Sequence, residues 1–213
     1  MTDGSKKLII FDLDGTLVDS CRDLALAVNL MREHFGLAPL SVEMVTGYVG
    51  NGVRSLVSRA LEGTSVTVDE AMPIQARTYR AHLTCHTTLY PGVHDGLMEL
   101  RKRGHCLAVA TNKPCEATEV ILRHFELWNL FACVLAGGSY PVLKPEPGML
   151  LEIMARAGVA ASETWMVGDN DTDLESARRA GVRSIFLTYG YGRIGAETPT
   201  LRCDSFAEAV AVF

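Results

Sequence analysis

The sequence predicts an α/β fold, a three-layer core around a parallel sheet with an all-helical unit inserted into it. Three observations predict this. Leu8–Phe11 is a short unbroken apolar run that ends in Asp12-Leu-Asp-Gly, as expected of a strand buried on both faces and closed by a turn. From residue 90 onward, apolar runs of strand length alternate with helical patterns, which implies parallel strands joined by right-handed crossovers. Between these regions, residues 18–86 read as helix alone. The core is therefore assigned to residues 1–17 and 87–213, and the helical unit to residues 18–86.

The elements follow from local patterns. After Asp19 and Ser20, Leu24, Val28 and Met31 recur at helical spacing, and Gly36 ends a helix that reaches about Phe35. Ser41 caps a short helix to about Thr46. Gly47-Tyr-Val-Gly-Asn-Gly52 is a loop before a helix over Val53–Leu61. A further helix spans about Val68 to Leu83, with Asp69 and Glu70 suiting its positive end; Pro73 predicts a later start or a kink. Tyr90-Pro-Gly92 marks the return to the core, and a helix runs over Val93–Arg103. Strands are expected at Cys106–Ala110, Cys133–Ala136, Trp165–Val167 and Arg183–Leu187. Helices are expected from Pro114 to about Phe125, from Gly148 to Ala157, and over Leu174–Ala180 and Phe206–Val212.

Composition narrows the function. The chain has 213 residues, 48% of them hydrophobic, enough for a sizeable core. A net charge of −5 argues against a nucleic-acid-binding surface. No apolar run approaches the ~20 residues of a membrane span, and Met1–Lys7 leads into the first strand without a signal-peptide core. A cytoplasmic location is the expectation. The six cysteines are scattered with no Cys-x-x-Cys pair, so structural zinc and a redox motif are not expected.

The chemistry lies at the strand ends. Alternation puts Asp12 and Asp14 on one side of the chain as it leaves the first strand. Ligands of open α/β sheets bind at that end. Carboxylates beside a dry strand call for a cation, and Mg²⁺ suits one or two carboxylates together with water and substrate phosphate. Thr111 with Asn112, Lys144, and Asp169 with Asp173 lie after later strands or on a loop, and a parallel sheet gathers them along one edge. Lys144 and the Thr111 hydroxyl can take phosphate oxygens. Asp12 can attack phosphorus to give an aspartyl phosphate, while Asp14 moves the proton of the leaving oxygen and of water. Read singly, these motifs are ordinary turns, caps and loops; Thr111-Asn-Lys113 in particular reads as a helix cap with a solvated lysine.

Together the motifs carry a resemblance. Asp12-Leu-Asp-Gly-Thr16, Thr111-Asn112, Lys144-Pro145 and Gly168-Asp169-x-x-x-Asp173 resemble the four motifs of the haloacid dehalogenase superfamily. Its Rossmann-like core carries a small helical cap at the position of residues 18–86. The resemblance implies Asp12 as nucleophile, Asp14 as general acid and base, and Thr111 and Lys144 as phosphate holders, with Asn112 beside them in the phosphate-binding set. It implies Mg²⁺ as cofactor, on the side chains of Asp12 and Asp169 and the backbone carbonyl of Asp14, with Asp173 behind the ligands. The stretches Val49–Leu56 and Tyr189-Gly-Tyr-Gly192 look like those of phosphoglycolate phosphatases. If the cap closes over the core, Gly50, Asn51 and Arg54 are expected to touch the substrate, since glycines allow close backbone approach.

The expectation is a Mg²⁺-dependent phosphatase of a small phosphorylated metabolite, 2-phosphoglycolate first, with neither nucleic acid nor membrane as partner and no oligomeric state assigned. A phosphosugar mutase or a pyrophosphatase of the same superfamily remains open. So does a receiver-type signalling domain, which also forms an aspartyl phosphate, though such a domain is shorter and uncapped.

Overall fold

The computed structural model describes residues 6–213; the predicted core's first five residues, Met1–Ser5, lie outside the described residues. Strand β1 (Leu8–Phe11) is buried along its whole length. It runs parallel to β4 (Cys106–Pro114) on one side and to β6 (Thr164–Gly168) on the other. With β5 (Cys133–Gly137), β7 (Arg183–Leu187) and β8 (Leu201–Cys203), these strands form a parallel sheet in the order β5-β4-β1-β6-β7-β8. Strand β8 was not anticipated from the sequence; it is three residues long and mostly exposed, so it carries no apolar run.

Alternation along β1 separates the two faces of the sheet. Ile9 and Phe11 pack with α5 (Val93–Lys102), α6 (Cys115–His124) and α9 (Phe206–Ala211). Leu8 and Ile10 pack with α7 (Gly148–Ala157) and α8 (Asp171–Ala180). Two helical layers therefore cover the sheet, which is why β1 reads as an unbroken apolar run rather than an alternating one. Chain order reverses at β1, with β4 and β5 laid to one side and β6 to β8 to the other. In a doubly wound sheet that reversal opens a crevice at the carboxyl ends of the strands.

Two short strands connect core and helical segment. β2 (Val18–Asp19) and β3 (Thr88–Leu89) pair antiparallel. Between them lie α1 (Cys21–His34), α2 (Val42–Thr46), α3 (Val53–Ala60) and α4 (Val68–Ala81). Helix α4 starts at Val68 despite Pro73, because Thr67 and Glu70 form a reciprocal capping box that satisfies its first turn. The carboxylate of Asp23 on α1 is fully buried. It accepts from the backbone N–H groups of His86 and Thr87 and from the Thr87 hydroxyl, at 2.8–3.0 Å. That clasp fixes the end of the helical segment against its beginning.

Candidate active site

The crevice at the end of β1 holds most of the predicted residues. Asp12 follows β1 directly and donates its backbone N–H to the Val167 carbonyl of β6 at 3.0 Å. The chain then turns through Gly15, whose φ is +83° and whose Cβ position is taken by the Asp169 carboxylate. Only glycine serves there. Asp12, Asp169 and Asp173 place one carboxylate oxygen each within 4.8 Å of one another, all buried. Lys144, on the loop between β5 and α7, reaches Asp173 at 2.6 Å and Asp12 at 2.9 Å with a fully enclosed ammonium. Thr111 lies on β4 and lines the same cavity as Asp12 and Asp14.

The two carboxylates of the first motif meet different partners. Asp14 accepts from the Ser20 hydroxyl at 2.5 Å and from the Lys113 ammonium at 2.6 Å. Asp12 instead pairs with the Lys144 ammonium, 2.9 Å from its Oδ1. Burial opposes charge on both lysines. Asp14 and Tyr79 outweigh it at Lys113, and Asp12 and Asp173 outweigh it at Lys144, so both stay firmly cationic.

Asp169 is the outlier. Among the described residues it accepts only from neutral donors, the Thr16 hydroxyl at 3.2 Å and the Gly192 backbone N–H at 2.8 Å. Burial first, then the charges of Asp173 and Asp12, push its carboxyl well above the usual range. Burial does the same at Asp173, with Lys144 opposing it. Of three clustered buried carboxylates, two share the Lys144 ammonium and Asp169 has neutral donors alone among the described residues. An all-oxygen set with excess negative charge fits a hard divalent cation such as Mg²⁺.

The helical segment forms the roof. Gly50, at φ +119°, lies so close to the Asn170 amide that an added Cβ would stand 2.6 Å from its nitrogen. Asn112 donates its side-chain N–H groups to the Gly50 and Lys144 carbonyls and accepts from the Lys144 N–H, each at 2.8 Å. Its amide therefore ties the roof and the lysine loop together instead of facing phosphate, as was expected. Asn51 and Arg54 are likewise not at the cavity. The Asn51 side chain accepts from Arg59 at 2.8 Å, and the Arg54 guanidinium pairs with Asp69 at 2.7 Å, both at exposed positions. Arg54 lies on α3, whose buried positions Leu56, Val57 and Ala60 turn it outward.

Comparison with known proteins matches this architecture. The family model for haloacid dehalogenase-like hydrolases covers residues 9–187. The chain belongs to that family. A phosphoglycolate phosphatase from Pseudomonas putida is 42% identical over 207 residues, 93% of this chain and 76% of that protein. One from Aliivibrio fischeri is 37% identical, covering 97% and 96% of the two chains. A crystal structure described as a predicted phosphoglycolate phosphatase from Haemophilus somnus superimposes with a TM-score of 0.92 at 34% identity, covering 97% of each chain.

Within this haloacid dehalogenase-like site, sequence reasoning missed several residues. Lys113 is buried, not solvated, because β4 continues to Pro114 beyond the predicted end at Ala110. Two-residue alternation from Thr111 would have found it, as it found Asp14 from Asp12. Ser20 and Tyr191 have hydroxyls 3.2 Å apart beside Asp14; Tyr191 lies in the Tyr189-Gly-Tyr-Gly192 stretch, but nothing in that stretch assigned it to this carboxylate. Gln75 and Tyr79, which reach the cavity from α4, carried no local signal. Four residues apart on one helix face, they sit where apolar residues are expected.

Proposed function

We propose that this chain is a Mg²⁺-dependent phosphomonoesterase acting on 2-phosphoglycolate, with Asp12 as nucleophile. The observation that carries the reading is the gathering of Asp12, Asp14, Thr111 and Lys144 with the acidic pair Asp169 and Asp173 at one sheet edge. The substrate assignment is supported by relatives called phosphoglycolate phosphatase at 37–42% identity over nearly the whole chain.

In this reading Asp12 attacks phosphorus, and the bond from phosphorus to the leaving oxygen breaks. Asp14 gives its proton to that oxygen, then takes one from the water that hydrolyses the aspartyl phosphate. The Lys144 ammonium and the Thr111 hydroxyl hold phosphoryl oxygens, so Asp12 and a dianion can approach without prohibitive repulsion. Asp12, Asp169 and the Asp14 carbonyl would hold Mg²⁺, which when bound neutralises phosphoryl and carboxylate charge. Asp173 positions Lys144. Residues 18–86 act as a cap that keeps bulk water from the phosphoenzyme. A cytoplasmic location belongs to the same reading, since all six cysteines are unpaired. Phosphate release from 2-phosphoglycolate with Mg²⁺ tests it. The wild type should turn over and Asp12→Asn should not; activity that survives that substitution overturns the assignment.

A further inference from the structure

The roof of the cavity contains polar groups for which neither the fold nor the proposed mechanism has a use. Gln75 is wholly buried on α4, yet among the described residues neither its amide nitrogen nor its amide oxygen has a hydrogen-bond partner. Tyr79, one turn further along, is 6% exposed, and its hydroxyl stands beside the Lys113 ammonium, which it helps keep cationic. Burying the Gln75 amide unpaired carries a desolvation cost, and Leu would fill the same space without it. Both line the cavity that Asp12 and Asp14 line from below.

The neighbouring charge indicates what they face. Among the described residues, Lys113 is the only cation lining this cavity. Its ammonium sits 4.9 Å from the centre of the Tyr79 ring. One of its three N–H groups is used by Asp14. Burial pushes the Tyr79 hydroxyl up to about 12, so it remains an O–H donor at neutral pH. The rest of the roof side is apolar, from Leu24, Val49, Val53 and Leu56, while Asp12, Asp14, Thr111 and Asn112 line the core side. A dry pocket with an ammonium, a phenol O–H and an amide N–H converging on it is built for a small anion. The whole cavity, including the part beside Asp12 and Thr111 where the phosphoryl group would sit, has a volume of about 50 Å³, which favours a short substituent over a sugar.

We propose that Gln75, Tyr79 and Lys113 form the subsite that selects the substrate's leaving group, by binding a carboxylate carried one or two carbons from the phosphate ester. The inference rests on the function proposed above and adds to it the residues that choose the substrate. Lys113 then touches two anions at once, Asp14 and the substrate carboxylate. The exposed Arg54 is not needed for recognition. A neutral alcohol phosphate leaves Lys113 without its second anion and Gln75 unpaired, so it is disfavoured by the same desolvation that a carboxylate relieves.

The test compares kcat/KM for 2-phosphoglycolate with that for 2-hydroxyethyl phosphate, which matches it in length but lacks the carboxylate. It uses wild type, Gln75→Leu and Tyr79→Phe. The wild type should favour the carboxylate ester, and each variant should lower that preference about tenfold, mainly through KM. Gln75→Leu removes unpaired buried atoms, so its substrate-free melting temperature should be equal or higher, which separates lost recognition from lost folding. A wild type that prefers the carboxylate ester, with variants that keep the full preference, overturns the subsite and leaves the substrate reading standing. A wild type that hydrolyses both esters equally well overturns both.

Discussion

Asp12 and Asp14 lie two residues apart on one cavity wall, yet each meets its own lysine, Lys144 and Lys113. In the proposed mechanism the separation gives the nucleophile and the proton carrier different surroundings, as that division of labour requires. Asp169 has no cation of its own, and its folded pKa is raised. The sign of the consequence is fixed. A carboxyl with a higher pKa folded than unfolded binds its proton more tightly in the native state, so stability falls as pH rises from the unfolded pKa through the folded one. Asp173 adds in the same direction. Without metal, these groups should cost stability as pH rises from about 4. A divalent cation, which replaces protons, should restore it. The gap in melting temperature between Mg²⁺ and EDTA is therefore expected to widen from pH 5 to pH 7 and to collapse in Asp169→Asn; thermal melts across pH measure it. The acidic residues were legible in the sequence because the strand-end rule names them directly. Lys113 was legible in principle by the same alternation, but a short apolar run ending at Ala110 hid the length of β4.

Helix α4 shows how an element serves the site from a distance. Its capping box holds the first turn although Pro73 removes a backbone donor five residues on. Thr67→Ala should destabilise the protein by about 1 kcal/mol, read from urea unfolding, and raise KM by loosening the helix that bears Gln75 and Tyr79. The Asp23 clasp is the stronger constraint. Asp23→Ala leaves the buried N–H groups of His86 and Thr87 without their acceptor and should cost about 3 kcal/mol, visible in the same unfolding curves. Helix positions were predicted to within a few residues because periodicity and caps are local signals. Gln75 and Tyr79 were not, since a polar residue on a helix reads as solvent-facing until the opposing surface is known. Arg54 was misassigned for the converse reason: proximity to the glycine loop in sequence does not fix the side of α3 on which it stands.

Across the whole molecule, the roof meets the core through backbone as much as side chain. The Gly50 carbonyl accepts from Asn112, and the Gly50 Cα lies against Asn170. Gly50→Ala puts a Cβ into that amide at a positive φ, so the roof should seat poorly. We expect kcat/KM to fall about tenfold with little change in melting temperature, measured by steady-state kinetics beside a thermal melt. Fold class and sheet content were readable because alternating patterns of period two and 3.6 are written along the chain. How tightly the roof closes was not, because it depends on contacts between segments sixty or more residues apart, such as Asn112 with Gly50. The β2–β3 ladder has a last consequence. Val18 faces Leu89 and Asp19 faces Thr88, so everything from residue 20 to residue 87 leaves and re-enters the core through points one strand spacing apart, ~4.8 Å. A segment whose ends nearly touch can be lengthened, shortened or exchanged without asking the sheet to move. The helical segment can therefore vary in length with the sheet left in place, provided the contacts that seat it, such as Asn112 with Gly50, are kept.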